Sequence, residues 1–152
     1  MATLETYCAQ LMEYMEEIDI IDSHEHLPSE EVRVAQNPDF SLMFTHYCGV
    51  DLLAAGMSRT ELGNFSGSAL SVAEKWRLFA PYYHAIQDGS YCRTAHLAIN
   101  KFYGFDRLTS AEDADALTAA VRTANTPGLY KRVLQETAHI RLSLNYGTGL
   151  CT

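Results

Sequence analysis

Apolar residues return every three or four positions near the start of the chain: Leu4, Cys8, Leu11, Met12 and Met15. That period predicts an amphipathic helix over Leu4 to Glu17. Ile18-Asp19-Ile20-Ile21-Asp22 follows, a short β-branched run that reads as a buried strand. Pro28 cannot extend a sheet ladder, so the strand is expected to stop near His26. Residues 27 to 38 read as a polar loop. Asp39 is placed to cap a helix from Phe40 to Ala55, with Phe40, Met43, Phe44, Tyr47, Val50 and Ala54 on its apolar face and Gly56 as its stop. Residues 57 to 70, which include Gly63, Ser66, Gly67 and Ser68, read as irregular.

Ser71 and Glu74 have the spacing of a capping box, in which two side chains reciprocally satisfy free backbone N–H groups. The helix they open carries Trp76, Phe79, Tyr82 and Tyr83, an aromatic set that reads as core. Pro81 is expected to kink or interrupt it. Tyr91 to Tyr103 reads as another helix, stopped by Gly104. Ser110 is placed to cap Ala111 to Ala124, with Glu112, Asp113 and Asp115 favourably set at the positive end of the helix dipole. Thr126-Pro127 opens a last helix through Leu129, Val133 and Leu134. Ile140, Leu142 and Leu144 then alternate with Arg141, Ser143 and Asn145, a second strand that ends at the turn-like Gly147-Thr148-Gly149. The expected architecture is α/β but predominantly helical. Residues 1–27 hold the first helix and strand, 39–138 a helical insertion, and 139–146 the second strand, parallel to the first. Two strands alone make a poor sheet, so the chain is expected to be the N-terminal part of a larger domain. With open sheet edges, it is also expected to aggregate or form homo-oligomers by itself.

Composition narrows the classes. The 152 residues are 47% hydrophobic with a formal net charge of -8. A core is affordable at that length, and the acidity with no basic stripe argues against a nucleic-acid partner. No apolar run approaches the roughly 18 residues needed to span a bilayer, and the acidic first helix is unlike a signal peptide. Cys8, Cys48, Cys92 and Cys151 are scattered, which fits reduced thiols in a cytoplasmic protein.

The chemistry concentrates in Asp22-Ser23-His24-Glu25-His26. Alternate residues of a strand share a face, so His24 and His26 project together, about 7 Å apart along the chain. Two imidazoles converging from one strand end can share a divalent ion. Two exposed loop histidines would show the same spacing; the preceding strand is what favours a ligand pair. His84, His96 and His139 have no partner at ligand spacing and read as surface or satisfied core residues.

Ile21-Asp22-Ser23-His24-Glu25-His26-Leu27 resembles the first-strand metal motif of the amidohydrolase superfamily. His46-Tyr47, Ala55-Gly56, Glu74-Lys75-Trp76, Ala95-His96-Leu97 and Phe102-Tyr103-Gly104-Phe105, in that order, resemble the uronate isomerase-like branch. The resemblance implies a (β/α)8 TIM barrel with a large helical insertion after strand 1. It implies a divalent metal, usually zinc, on His24 and His26, and a small-molecule substrate contacted by His46 and Tyr47. Plain helix packing is the competing reading for Tyr47. The family's other ligands and its general base would lie beyond residue 152, so no catalytic base is assigned and the chain alone is expected to be inactive. The implied activity is hydrolysis of C–N or C–O bonds. Aldose–ketose isomerisation of a uronate is the alternative, although Cys48-Gly49-Val50-Asp51-Leu52-Leu53 lacks the basic residues that follow the His-Tyr pair in uronate isomerases. A non-catalytic helical interaction module is the reading from a different class.

Overall fold

A computed structural model describes residues 3–146. Gly147-Thr148-Gly149 and Cys151 lie outside the described residues. The chain divides into two units, Met1–Gln36 with Thr126–Thr152, and Asn37–Asn125.

The first unit holds the sheet. Helix α1 spans Leu4–Glu16 and is capped by Thr3, whose hydroxyl accepts from the Thr6 N–H. Strand β1 spans Ile20–Glu25. The expected loop after it contains a short helix, α2 (Glu30–Val34), because Ser29 supplies a cap acceptor to the Val32 N–H. Glu30 reaches across the sequence: its carboxylate accepts the Tyr130 N–H at 2.7 Å and the Gly128 N–H at 3.1 Å. Those two bonds, Tyr130 first, hold its pKa below the ordinary value. The last helix does not begin at Pro127. A bend and turn occupy residues 126 to 128, helical residues begin at Leu129, and the segment Lys131–Thr137 is a π-helix. Strand β2, Ile140–Asn145, forms where the alternation predicted a strand and pairs with β1 in parallel, with Ile20 opposite Ile140 and Glu25 opposite Asn145. Among the described residues neither strand has a second neighbour. Many apolar positions of the unit are exposed, including Leu4, Leu11 and Met15 on α1 and Ile21 and Leu142 on the sheet; no residue of α1 is buried.

The second unit holds the core. Of the buried apolar residues among those described, only Leu129 lies outside it. The expected single helix Phe40–Ala55 is two pieces: a 3-10 turn, Phe40–Phe44, and α3, Tyr47–Ala54. The break falls at His46, which has φ 53° and ψ -116°. Restarting the helix rotates its inward face, so Cys48, Gly49 and Leu52 are buried while Tyr47 and Val50 are exposed. The stretch expected to be irregular contains α4, Arg59–Ser66, opened by a second capping box, Ser58 with Glu61. The two glycines near its end masked that start signal. Helix α5, Val72–Ile86, carries the predicted Ser71–Glu74 box and continues through Pro81. Helix α6, Ser90–Tyr103, stops at Gly104, whose φ of 75° favours glycine. Helix α7, Ala111–Ala124, is capped by Ser110 with Asp113.

Phe79 of α5 is the centre of the packing. It stacks on Phe65 of α4 at 4.8 Å between centroids and meets Phe44 at 4.9 Å and Tyr83 at 5.0 Å. Trp76 belongs to the same cluster, as the aromatic spacing predicted, and Tyr82 packs against it half-buried.

One charge is buried in this apolar setting. The Lys75 side chain is 2% exposed; its ammonium donates to Asp39 Oδ2 at 2.6 Å and to Ser41 Oγ at 3.1 Å. Asp39 Oδ1 meanwhile accepts the Ser41 N–H at 2.9 Å, capping the 3-10 turn. Burial alone would raise the Asp39 pKa, but the bonds from Lys75 and Ser41 outweigh it and hold it below its ordinary 3.8. A carboxyl depressed in this way stabilises the fold above its unfolded-state pKa, and the contribution is lost as pH falls through the folded value. Asp39→Ala should therefore cost about 3 kcal/mol, because it strands a buried ammonium. Adding Lys75→Met to that variant should recover much of the loss, and the double variant should unfold with less acid dependence below about pH 4 than the parent. Urea unfolding across pH checks both expectations. An Asp39→Ala variant as stable as the parent would show that the pair does not hold the unit.

Candidate functional site

His24 lies within β1 and His26 follows its last residue, at the C-terminal end of the strand. Both rings are exposed, and they converge as the alternation predicted. Their Nε2 atoms are 3.0 Å apart, with ring centroids at 4.8 Å and planes at 80°. Two bonds of about 2.0–2.1 Å from a tetrahedral zinc ion would hold two nitrogens about 3.3 Å apart, so little motion separates this pair from a chelating geometry.

The surroundings determine which nitrogens carry protons. His26 Nδ1 is 3.2 Å from the Tyr146 carbonyl oxygen, which can only accept, so the Nδ1 of His26 carries the hydrogen. Its Nε2 is then a lone pair when the ring is neutral. The Nε2 of His24 must be the donor in the 3.0 Å contact. A carbonyl behind a ligating imidazole is a common way of fixing its tautomer and raising its basicity. Tyr146 also contributes its ring, tilted against His24 at 4.9 Å. The contact follows from strand pairing, since the Tyr146 N–H donates to the Glu25 carbonyl at 2.7 Å.

Backbone and carboxylates brace the pair. Asp22 Oδ1 accepts the His24 N–H, and its Oδ2 accepts the Ser143 hydroxyl, each at 3.2 Å. Glu25 Oε1 accepts the His26 N–H at 2.8 Å. Asn145 Nδ2 donates to the Leu27 carbonyl just beyond the pair. The two imidazoles thus fit two positions of a metal's coordination shell. Among the described residues no group of three His, Cys, Asp or Glu side chains could hold a metal ion.

The other site candidates lie in the helical unit. His46 and Tyr47 are both exposed. Tyr47 is 63% exposed, so it is not a core residue; its ring stacks on Tyr91 at 5.0 Å and 18°. His46 has a backbone conformation that L-residues rarely adopt, at a cost of about 1–3 kcal/mol, and such strain gathers at functional positions. The remaining histidines are as the spacing indicated. His84 is exposed, His96 bonds the Tyr83 hydroxyl at 2.7 Å, and His139 bonds the Glu16 carbonyl at 2.8 Å.

The residue missed in the sequence is Tyr146. Its carbonyl carries no side-chain signature, and only the parallel register of strands some 120 positions apart reveals it. The matching ends of the two strands were the available signal.

No family model matches the chain, and neither a curated protein nor a solved structure matches it.

Two measurements test this geometry. Nitrogen-15 NMR of the neutral imidazoles should show His26 protonated at Nδ1 and His24 at Nε2; the reverse assignment would remove the Tyr146 bond. His46→Gly should stabilise the chain by about 1 kcal/mol in thermal unfolding, since glycine adopts this conformation without strain. Destabilisation would mean that contacts of the His46 side chain outweigh the strain.

Proposed function

We propose that the chain is the N-terminal part of a metal-dependent hydrolase of the amidohydrolase type, with His24 and His26 as two ligands of a divalent ion, most simply zinc. The 3.0 Å approach of the two Nε2 atoms at the end of a parallel strand carries this reading. The Tyr146 carbonyl supports it by leaving the His26 Nε2 lone pair directed at its neighbour. On this reading β1 and β2 are the first two strands of a (β/α)8 barrel, whose strand ends carry the chemistry.

A bound ion would supply Lewis acidity to the oxygen of a C–N or C–O bond under hydrolysis. The described residues supply the support. Asp22 holds the His24 backbone against Ser143, Glu25 holds the His26 backbone, and Tyr146 holds the His26 ring. On this reading no described residue is assigned as a third ligand or as the general base. The exposed His46 and Tyr47 are the substrate-contact candidates, and the strained backbone of His46 is the observation behind that assignment.

The second reading, a helical interaction module, has its own support: the helical unit contains nearly all of the buried core. The two readings differ in metal binding. Cobalt and zinc titrations followed by calorimetry should give one ion per chain. His24→Ala and His26→Ala should each weaken it at least tenfold, about 1.4 kcal/mol. Coordination through the His24 Nε2 requires its hydrogen to move to Nδ1, a tautomer change that releases no proton. Equal affinity in the parent and both variants would sink the metal reading and leave the module.

A further inference from the structure

A second cluster lies in the helical unit, away from any histidine pair. Helix α6 presents Arg93, His96, Leu97 and Asn100 at successive turns of one face, and Asp106 and Arg107 come from the segment after it. Together they line an open cleft of about 330 Å³.

The donors in this cleft are arranged rather than free. Arg107 donates through one terminal nitrogen to Gln87 Oε1 at 3.0 Å and through the other to Asp88 Oδ1 at 2.7 Å, which orients its guanidinium plane. The Tyr83 hydroxyl lies 2.7 Å from His96 Nε2, and burial, then the Arg107 guanidinium, holds the pKa of His96 below its ordinary value. A neutral His96 accepting from Tyr83 must carry its hydrogen on Nδ1, the ring nitrogen not used in the bonds to Tyr83 and Cys92. Arg93 has no ion-pair partner among the described residues. Leu97, 72% exposed, adds an apolar wall.

We infer that this cleft binds a small organic oxyanion, a carboxylate or phosphate ester, held by Arg93, Arg107 and the His96 ring N–H with its carbon portion against Leu97. Guanidinium groups suit such ligands because their forked donors match two oxygens at once. The formal charges limit the affinity. Asp106 accepts from Asn100 at 2.9 Å, and with Asp88 it balances the two arginines. Directed donors therefore carry the binding, and the expected dissociation constants are millimolar.

The test uses the full 152-residue chain with labelled histidine and arginine, titrated in NMR with inorganic phosphate and, separately, with propionate at constant ionic strength. The His96 ring and Arg93 side-chain signals should shift and saturate. Arg93→Met should weaken binding at least fivefold while the Trp76 indole signal stays in place, and Arg59→Met should have no effect. Saturation by phosphate alone assigns a phosphate ester, by propionate alone a carboxylate, and by both an undiscriminating oxyanion site. Shifts that grow linearly with both anions, or saturation unchanged in Arg93→Met, would overturn the inference.

Discussion

Parallel pairing of β1 with β2 is the constraint from which the rest of the chain takes its form. Two parallel strands cannot be joined by a tight turn; the chain must leave one strand end and come back to the other start. Here the return takes everything from residue 26 to residue 139. The same pairing makes the candidate site. Because both strands run in one direction, their C-terminal ends coincide, and the first residue past β2 meets the first residue past β1. The Tyr146 carbonyl is thereby brought to the His26 ring. The pair of imidazoles owes its protonation pattern to a backbone atom some 120 positions away, so local sequence and long-range register contribute one element each.

The two units are stabilised by different means. The helical unit concentrates its apolar area around Phe79 and adds the buried Asp39–Lys75 pair, which links the 3-10 turn to α5. A buried ion pair of this kind is weak as a source of net stability, because desolvation offsets much of the attraction. Its effect is selective: a turn that placed Asp39 elsewhere would leave an ammonium without a counter-charge. The sheet unit has little buried apolar area. It relies on directed bonds, such as Glu30 to the Gly128 and Tyr130 amides and Tyr130 to the Pro28 carbonyl. Local opening of the sheet unit is therefore expected to require less free energy than opening of α5.

Legibility in the sequence followed how local each signal was. Helices α1, α6 and α7 and both strands were readable because their periodicity and caps lie within a few residues. So was the shared face of His24 and His26, which needs only the two-residue repeat of a strand. The split at His46 was not readable: Phe40 to Ala55 keeps a helical period throughout, and the positive φ at His46 has no glycine to mark it. Helix α4 was hidden by Gly63 and Gly67, although Ser58 and Glu61 had the spacing that identified α5. Pro81 was misleading in the other direction, since the surrounding aromatic core maintains a helix that propensity alone would end. The cleft beside Arg93 was invisible because Arg107 reaches it from a segment without regular structure.

The two ends of the helical unit are tied together. Arg122, near the end of α7, donates through Nε to the Pro38 carbonyl at 2.9 Å, and the Thr118 hydroxyl accepts the Phe40 N–H at 3.1 Å. A segment whose first and last residues are already neighbours can be spliced into a host loop while adding little to the host's loop-closure entropy. It can equally be lifted out and replaced by a short connection. The helical unit thus has the geometry of a cassette: its interior, including the cleft on α6, is free to diverge without disturbing the strands on either side of it in the sequence.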